Sequence, residues 1–173
     1  MEVPLSSAEP PPPGLAEAGG PDMFQPAVQE RSRVLFLCTH NSARSQMAEG
    51  ILRSLAFDLV EAASAGIQPS RVHPLAIEVL AERGIDISGQ RSKHVNDLVH
   101  ERFTYVVTVC DQANETCPLF PRGGKRLHWS IPDPSAAEGE EDDRRRAFAA
   151  AADDLTGRIR GLLALLLEPQ GTG

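Results

Sequence analysis

A short segment of the sequence, CTHNSAR from Cys38 to Arg44, combines a thiol with a guanidinium group. A thiolate is a strong nucleophile, and an arginine side chain can hold a tetrahedral oxyanion through two parallel hydrogen bonds. Two further cysteines, Cys110 and Cys117, could exchange disulfides with the first one. Asp133 could act as a general acid for a leaving oxygen. These residue types predict nucleophilic thiol chemistry on a bound oxyanion.

This segment stands between a predicted strand and a predicted helix. The apolar run from Val34 to Leu37 is typical of a strand that is buried on both faces of a parallel sheet. Free backbone N–H groups at the start of the following helix, together with the helix dipole, favour an anion and a thiolate. We therefore expect the loop 39–44 to bind the anion and to activate Cys38. The alternative is that Cys38 is a small buried apolar residue at the end of a strand.

Strand and helix signals alternate along the rest of the chain. Apolar and β-branched segments predict strands at 60–63, 105–109 and 125–131. Helices are predicted from about 45, from 74 to a stop at 84, and in two segments with one apolar face, 95–103 and 148–166. The first helix should bury four apolar side chains: Met47, Ile51, Leu52 and Leu55. This alternation predicts an α/β fold, an open, mostly parallel four-stranded sheet with helices on both faces.

Three of the reactive residues directly follow predicted strands. Cys38 and Cys110 end two of the apolar runs, and Asp133 comes just after the last predicted strand. Ligands of open α/β sheets bind at the edge formed by the carboxyl ends of the strands. Neighbouring strands lie about 4.8 Å apart, so two thiols at adjacent strand ends could meet. We expect all three side chains at this edge, although Asp133 could also be a plain turn residue before a proline.

The composition restricts the partners of the chain. The net charge of -7, from 17 Lys and Arg against 24 Asp and Glu, argues against nucleic acid or an anionic membrane as a partner. The apolar run 162–167 is too short to cross a bilayer. The chain does not begin with a basic and apolar leader, so we expect a cytoplasmic protein whose three cysteines are reduced at rest.

The first 30 residues differ in composition from the rest. They contain 7 of the 14 prolines and five acidic residues, with neither Lys nor Arg. Such a segment cannot bury enough apolar surface to fold by itself. We expect residues 1–30 to be a disordered extension, residues 31–168 to form a single catalytic domain, and residues 169–173 to be a tail.

Four motifs together resemble the low-molecular-weight tyrosine phosphatase superfamily, and most closely its thioredoxin-coupled arsenate reductases. The resemblance runs from about Arg33 to Pro134. The motifs are the loop Cys38–Ser45 with the following Gln46-Met47-Ala48-Glu49, then Ser64-Ala65-Gly66, then Val107 to Cys110 with Cys117-Pro118, and finally His128-Trp129 with Asp133-Pro134.

The resemblance implies a role for each residue of the loop. Cys38 would attack the arsenic of bound arsenate, with phosphate as a competing anion. Asp133 would protonate the oxygen that leaves, Ser45 would donate a hydrogen bond to the thiolate, and Asn41 would also brace the loop. The oxyanion would be held by six residues: Thr39, His40, Asn41, Ser42, Ala43 and Arg44. We expect His40 to contribute its backbone amide here and not to act as a base.

The resemblance also implies a relay among the three cysteines. Cys110 would attack Cys38, expel arsenite and leave a disulfide between the two. Cys117 would then attack Cys110, and thioredoxin would reduce the final disulfide, so that no bound cofactor or metal is required. Some reductases of this family have a second cysteine inside the loop, where this chain has Ala43, which leaves Cys110 as the resolving thiol. A small monomer would suit a substrate that docks a reductase.

The six residues between Cys110 and Cys117 form a mostly polar segment that includes neither Gly nor Pro. If they form a helical turn or two, the thiols start too far apart for a bond, since bridged Cα atoms lie about 4.4 to 6.8 Å apart. Oxidation would then require this segment to unwind, which would expose the disulfide to a reductant.

Three other functions would use parts of the same sequence. A tyrosine phosphatase would use Cys38 and Asp133, but it needs aromatic walls around its substrate, and the chain has one Tyr, one Trp and a serine at Ser135 where such enzymes have an aromatic residue. A reductase supplied by a low-molecular-weight thiol would not need Cys117. A sensor of anions or redox state would not need the acid Asp133.

The sequence also offers candidate ligands for two metal ions. Zinc bound by Cys110, Cys117 and His128 is disfavoured because the spacing lacks a close cysteine pair, and we expect His128 and Trp129 to pack at a strand end. Some reductases of the family hold potassium with Asn, Glu, Ser and Asp side chains. Asn41, Glu49 and Ser64 match three of these positions, whereas Lys93 stands at the fourth. Its ammonium group could replace the ion, so we expect no potassium requirement.

Overall fold

The computed structural model describes residues 30–169, and the predicted extension and most of the predicted tail lie outside this range. Its elements are β1 (Ser32–Cys38), α1 (Arg44–Ala56), β2 (Val60–Gly66), α2 (Pro74–Glu82), β3 (Tyr105–Thr108), α3 (Asp111–Thr116), β4 (Lys125–His128) and α4 (Glu141–Leu167). Two short 3-10 helices cover Val95–Asp97 and Pro134–Ala136. Within the described residues, none of the helices is long and apolar enough to span a membrane.

The four strands form one parallel sheet in the order β2-β1-β3-β4. This arrangement confirms the predicted open α/β fold. β1 lies in the interior of the sheet, between β2 and β3, which explains its continuous apolar run. All four carboxyl ends meet at one edge, where Cys38 pairs with Gly66 and Leu37 pairs with Thr108.

The apolar core is divided between the two faces of the sheet. Along β1, Val34, Phe36 and Cys38 belong to one cluster, and the alternate residues Leu35 and Leu37 belong to another. The first cluster is filled by α1, α2 and α4. The second is filled by Val95, Phe103 and Val106, with Cys117 and Phe120 packed against them.

The long C-terminal helix follows its predicted apolar face. Its buried residues are Phe148, Ala151, Ala152, Leu155, Ile159 and Leu162. Acidic residues occupy its first turn, where they complement the helix dipole, and the carboxylates of Glu140 and Asp143 form a capping box with the backbone.

Two predictions about apolar positions were wrong. Leu55 is 36% exposed, because the buried face of α1 continues at a spacing of four residues through Ala48, Leu52 and Ala56. The predicted helix at 95–103 is a single 3-10 turn over Val95–Asp97. Val95 reaches the core from that turn and the distant Phe103 reaches it from a loop, so burying both requires no continuous helix.

The boundaries of all four strands also differ from the prediction, and β1 extends beyond the apolar run at both ends, from Ser32 to Cys38. β2 extends to Gly66 because its last residues pair with the end of β1. β3 and β4 end earlier than expected, at Thr108 and His128, where the chain turns away toward the residues of the site.

Candidate active site

The reactive loop lies at the carboxyl edge of the sheet, between the end of β1 and the start of α1. Cys38 is the last residue of β1 and is 4% exposed. Arg44 is the first residue of α1. The five residues between them contain one left-handed backbone position, Asn41 with φ of 47°. Asparagine is one of the few residues besides glycine that adopt this conformation readily.

Every carbonyl of the loop is held by a partner outside it. The carbonyl oxygens of Cys38, Thr39 and His40 accept hydrogen bonds from the backbone N–H groups of Ile67, Gln68 and Ser70, in that order. The carbonyl oxygen of Asn41 accepts from the side chains of Gln46 and Ser92. Those of Ser42 and Ala43 accept from the backbone N–H groups of His73 and Met47. In a planar trans peptide the C=O and the following N–H point in opposite directions. The amides of residues 39–44 are therefore directed inward, as binding of an oxyanion requires.

Asn41 fixes the shape of this loop with a fully buried side chain. Its Nδ2 donates to the Oγ atoms of Ser45 and Ser64, both at 2.9 Å. Its Oδ1 accepts from Gln46 Nε2 at 2.9 Å and from the backbone N–H of Lys93 at 2.8 Å. The side-chain amide thus uses both donor hydrogens and two acceptor positions, which leaves it one orientation.

Two donors converge on the sulfur of Cys38. Ser45 Oγ lies 2.7 Å from Cys38 Sγ, and the backbone N–H of Asn41 donates to the same sulfur at 3.1 Å. Because Ser45 Oγ already accepts a hydrogen from Asn41 Nδ2, its own hydroxyl hydrogen is free to point at the sulfur. Hydrogen bonds of this kind stabilise a thiolate, which is the nucleophilic form of cysteine.

Gly66 allows the loop to pack closely on the end of β2. A Cβ atom at this position would lie 2.7 Å from Asn41 N and 2.8 Å from the carbonyl oxygen of Thr39. These are backbone atoms that cannot move without displacing the loop. Glycine is therefore required here for a close approach of two backbones.

A pocket at the mouth of the loop gathers several of the predicted residues. It is lined by Cys38, His40, Ser42, Ala43, Arg44, Asp133 and Ser135. The Arg44 guanidinium donates to the carbonyl oxygen of Ile131 at 2.8 Å and lies 3.8 Å from Asp133 Oδ2. Asp133 Oδ1 accepts from the N–H and hydroxyl of Ser135, so that Oδ2 faces the pocket side. His40 binds the carbonyl oxygen of Gln68 through its imidazole at 3.1 Å.

The second cysteine is buried next to this loop. Cys110 follows β3, is 4% exposed, and belongs to the same apolar cluster as Cys38. Its Sγ lies 3.4 Å from the hydroxyl oxygen of Thr39. It also caps α3, where it accepts from the N–H of Ala113 at 3.4 Å. The strand order predicted this position, since β1 and β3 are neighbours in the sheet.

The third cysteine stands apart from the other two. Cys117 follows the last residue of α3, is half-buried, and packs against the opposite face of the sheet from Cys38. Burial raises the pKa of the Cys117 thiol, and the charge of Arg126 opposes this rise. Seven helical steps from Cys110 correspond to a Cα separation of about 10 Å. The two thiols cannot form a disulfide while α3 is intact.

The chain matches the low molecular weight phosphotyrosine protein phosphatase family over residues 33–170. It belongs to this family. An arsenate reductase from Shouchella clausii is 41% identical over 131 residues, which is 73% of this chain and 91% of that relative. The family fold is shared with an arsenate reductase solved in a phosphate binding state, which has a TM-score of 0.69, 30% identity, and coverage of 78% of this chain and 98% of the other.

A second similar structure is named for its electron donor. The thioredoxin-dependent arsenate reductase of Corynebacterium glutamicum has a TM-score of 0.65 and 32% identity to this chain. The alignment covers 80% of this chain and 63% of that protein.

The buried carboxylate of Glu49 lies next to the reactive loop, and Glu49 is one of the residues compared above with potassium ligands. Glu49 is 5% exposed and accepts a hydrogen bond from Ser64 Oγ. The ammonium group of Lys93 lies 3.5 Å from Glu49 Oε2, and the guanidinium of Arg53 lies 2.5 Å from Glu49 Oε1. Among residues 30–169, no three His, Cys, Asp or Glu side chains are grouped to hold a metal ion.

Two parts of this family site were not found from the sequence. The segment 67–73 holds the loop carbonyls through backbone N–H groups, which carry no side-chain signal. His128 was expected to pack at a strand end, but both its ring nitrogens form hydrogen bonds, to Thr108 and Asp111. Asp111 directly follows Cys110 in the sequence, but its contact with His128 joins residues far apart along the chain, so no local pattern predicts it.

Proposed function

We propose that the chain reduces arsenate to arsenite through a relay of three cysteines, with thioredoxin as the final reductant. The observation that carries this proposal is the position of Cys110. A phosphatase reaction uses one nucleophilic thiol, whereas here a second buried thiol lies against Thr39 of the loop that holds the first. Two adjacent thiols can supply the two electrons that convert As(V) to As(III).

In the first step, arsenate binds in the loop. The inward amides of residues 39–44 and the guanidinium of Arg44 hold its oxygens. The Cys38 thiolate forms a bond to arsenic, and one As–O bond breaks. Asp133 transfers its proton to the departing oxygen, which leaves as water, while Ser45 stabilises the thiolate before the attack.

In the second step, the Cys110 sulfur attacks the Cys38 sulfur. The electron pair of the S–As bond remains on arsenic, which leaves as arsenite, and the two cysteines are oxidised to a disulfide. The proton of the Cys110 thiol is released in this step. Both sulfurs are buried in one cluster, which supports this direct attack. A thiol held close to the Cys38 sulfur reacts with it faster than a reactant that must arrive from solution.

In the third step, the disulfide passes to the surface. Cys117 attacks the Cys110 sulfur, the Cys38 thiolate is released, and a bond forms between Cys110 and Cys117. This bond requires α3 to unwind, because the helix holds the two Cα atoms about 10 Å apart. Two thiols of thioredoxin then reduce the exposed disulfide, and the three cysteines return to their starting state.

The relatives support the substrate and the electron donor. One relative is named an arsenate reductase, one was solved as an arsenate reductase in the phosphate binding state, and one is named a thioredoxin-dependent arsenate reductase. Phosphate and arsenate have the same shape and charge, so we propose phosphate as a competing anion. We assign the activity to residues 31–168, acting as a monomer in the cytoplasm, where thioredoxin is available and thiols stay reduced.

A coupled assay tests this function. The protein is mixed with thioredoxin, thioredoxin reductase and NADPH, arsenate is added, and NADPH consumption is followed beside a Cys117→Ser variant. We expect the parent to consume NADPH when arsenate is added. The Cys117→Ser variant should consume none in the same thioredoxin-coupled assay. If neither protein consumes NADPH on addition of arsenate and the parent rapidly cleaves an aryl phosphate, the chain is a phosphatase and not an arsenate reductase.

The phosphatase alternative shares Cys38, Arg44 and Asp133, and the family match favours it as a side activity. The residues that line the pocket argue against a phosphatase as the main activity. Ser135 lines the mouth next to Asp133, and none of the described lining residues is a Phe, Tyr or Trp that could sandwich a phenyl ring. We expect slow aryl phosphate hydrolysis that depends on Cys38 and does not depend on Cys117.

A further inference from the structure

The imidazole of His128 joins the end of β4 to the start of α3. Its Nε2 lies 2.8 Å from Asp111 Oδ1, and its Nδ1 lies 2.8 Å from Thr108 Oγ1. Asp111 is the first residue of α3 and directly follows Cys110. An ionised carboxylate only accepts hydrogen bonds, so Nε2 is the donor in this pair.

Thr108 extends this network to a second residue of α3. Its hydroxyl lies 3.3 Å from Asn114 Oδ1 and is buried at the end of β3. His128 therefore holds Asp111, and the Thr108 hydroxyl, which has one hydrogen to donate, faces His128 Nδ1, the Leu127 carbonyl and Asn114 Oδ1 one helical turn further along α3. We call the four residues His128, Asp111, Thr108 and Asn114 the α3 latch.

The electrostatics of Asp111 agree with this contact. The hydrogen bond from His128 holds the pKa of the Asp111 carboxyl below its usual range, and the side chain of Ser130 and the charge of Arg44 act in the same direction. The Asp111 side chain is 73% exposed, so its hydrogen bond with His128 is weak by itself. The buried hydroxyl of Thr108 gives the latch its sheltered half.

Besides the latch, α3 is held by Gln112, whose Oε1 accepts from the Thr39 hydroxyl at 3.3 Å, and by the sulfur of Cys110 at its first turn. The helix has six residues, and Ala113 is its one buried side chain. A helix of this length does not persist in water without tertiary contacts. The polar contacts of the latch therefore supply part of what keeps α3 folded.

We propose that His128 is a positioning residue that keeps α3 folded in the reduced protein and thereby raises the reduction potential of the Cys110–Cys117 pair. The proposal rests on the relay described above. Forming this disulfide removes two electrons and two protons from the thiols and unwinds α3, which separates Asp111 and Asn114 from His128 and Thr108. An interaction present in one of two states favours that state. The latch thus favours the dithiol over the Cys110–Cys117 disulfide.

The potential can be measured in a Cys38→Ser background, where Cys110 and Cys117 are the two remaining cysteines. The protein is equilibrated with mixtures of reduced and oxidised glutathione, which accepts the two electrons, and the disulfide fraction is determined by mass spectrometry after alkylation. The variants are His128→Ala, Asp111→Ala and the double variant. Asp154→Ala is the matched control, since Asp154 pairs with Arg158 on the distant helix α4.

We expect His128→Ala to favour the disulfide about fivefold, which corresponds to a potential about 20 mV more negative. The double variant should differ little from His128→Ala, because both substitutions remove the same contact. His128→Gln, which can still donate a hydrogen bond, should recover part of the shift. Asp154→Ala should leave the potential unchanged.

Two outcomes would overturn the inference in different ways. A disulfide that forms with the same potential in parent, His128→Ala and Asp111→Ala would rule out the latch and leave the relay intact. Failure of Cys110 and Cys117 to form a disulfide in the Cys38→Ser parent would overturn the relay and the latch together. Asp111→Ala changes an exposed side chain, so it provides this answer even if His128→Ala does not fold.

Discussion

Ser45 Oγ lies 2.7 Å from Cys38 Sγ, and Asn41 Nδ2 donates to that same oxygen. The asparagine thereby turns the serine hydroxyl into a donor directed at the sulfur. Asn41 also donates its backbone N–H to the sulfur, so one residue sets both hydrogen bonds of the nucleophile. The reactivity of Cys38 should therefore depend on the side chains of Asn41 and Ser45 as well as on the groups that hold the substrate.

Ser45→Ala should slow alkylation of Cys38 by iodoacetamide at neutral pH by roughly tenfold or more, since a hydrogen bond to a charged group contributes about 1.5 to 3 kcal/mol. The thiolate loses a donor while the loop backbone keeps its other contacts. Ser54→Ala, an exposed serine on the same helix, is the control and should react at the parent rate. Equal rates in all three proteins would show that Ser45 does not activate the thiol.

Gly66→Ala should weaken phosphate binding by at least about tenfold, because the added Cβ would overlap the backbone at Asn41 and Thr39. Isothermal titration with inorganic phosphate measures this loss. Gly89→Ala is a suitable comparison, since its Cβ would meet nothing within 4 Å. Unchanged phosphate affinity in Gly66→Ala would mean that the loop tolerates displacement and that its inward amides are not the main anion ligands.

The activity should be the same in sodium and potassium buffers, because the ammonium group of Lys93 already neutralises Glu49. Lys93→Ala leaves the buried carboxylate with Arg53 as its remaining cation, so this variant should unfold at lower urea concentration than the parent. Arg91→Ala, an exposed cation two residues away, serves as the control. A several-fold rise in parent activity on replacing sodium by potassium would contradict this expectation.

Cys117 should react slowly with alkylating reagents in the reduced protein, because burial raises its pKa and so reduces the thiolate fraction at neutral pH. Arg126 opposes this rise, so Arg126→Ala should raise the pKa further and shift the pH dependence of alkylation to higher pH. Arg122→Ala, which keeps Arg126, should behave like the parent. A shift to lower pH in Arg126→Ala would show that Arg126 does not stabilise the thiolate. Peptide mass spectrometry over a pH series distinguishes these cases.

Local patterns predicted the part of the site that is continuous along the chain. An apolar strand, a polar loop and an amphipathic helix follow one another from Ser32 to Ala56, and each is specified by its own residues and nearest neighbours. The edge shared by Cys38 and Cys110 was also predictable, since parallel strands place all their carboxyl ends together.

Patterns failed where apolar residues reach the core without a regular element. Val95 and Phe103 have the spacing of a helix face, yet a turn and a loop bring them to the sheet. Leu55 fits the face of α1 in the sequence, but the last turn buries Ala56 in its place. In both cases the geometry of the sheet underneath decides burial, and a single segment does not contain that information.

The order of the reactive groups could be predicted from local patterns: a cysteine at a strand end, a loop suited to an anion, a second cysteine at another strand end, and an acid after the last strand. The contacts that hold these groups are set by the tertiary fold. The outward carbonyls of the loop bond to the segment 67–73, Cys117 packs against the far face of the sheet, and the first residue of α3 contacts His128. The physical reason is that each of these contacts joins groups that are distant along the chain, and several use backbone atoms that are the same in every residue.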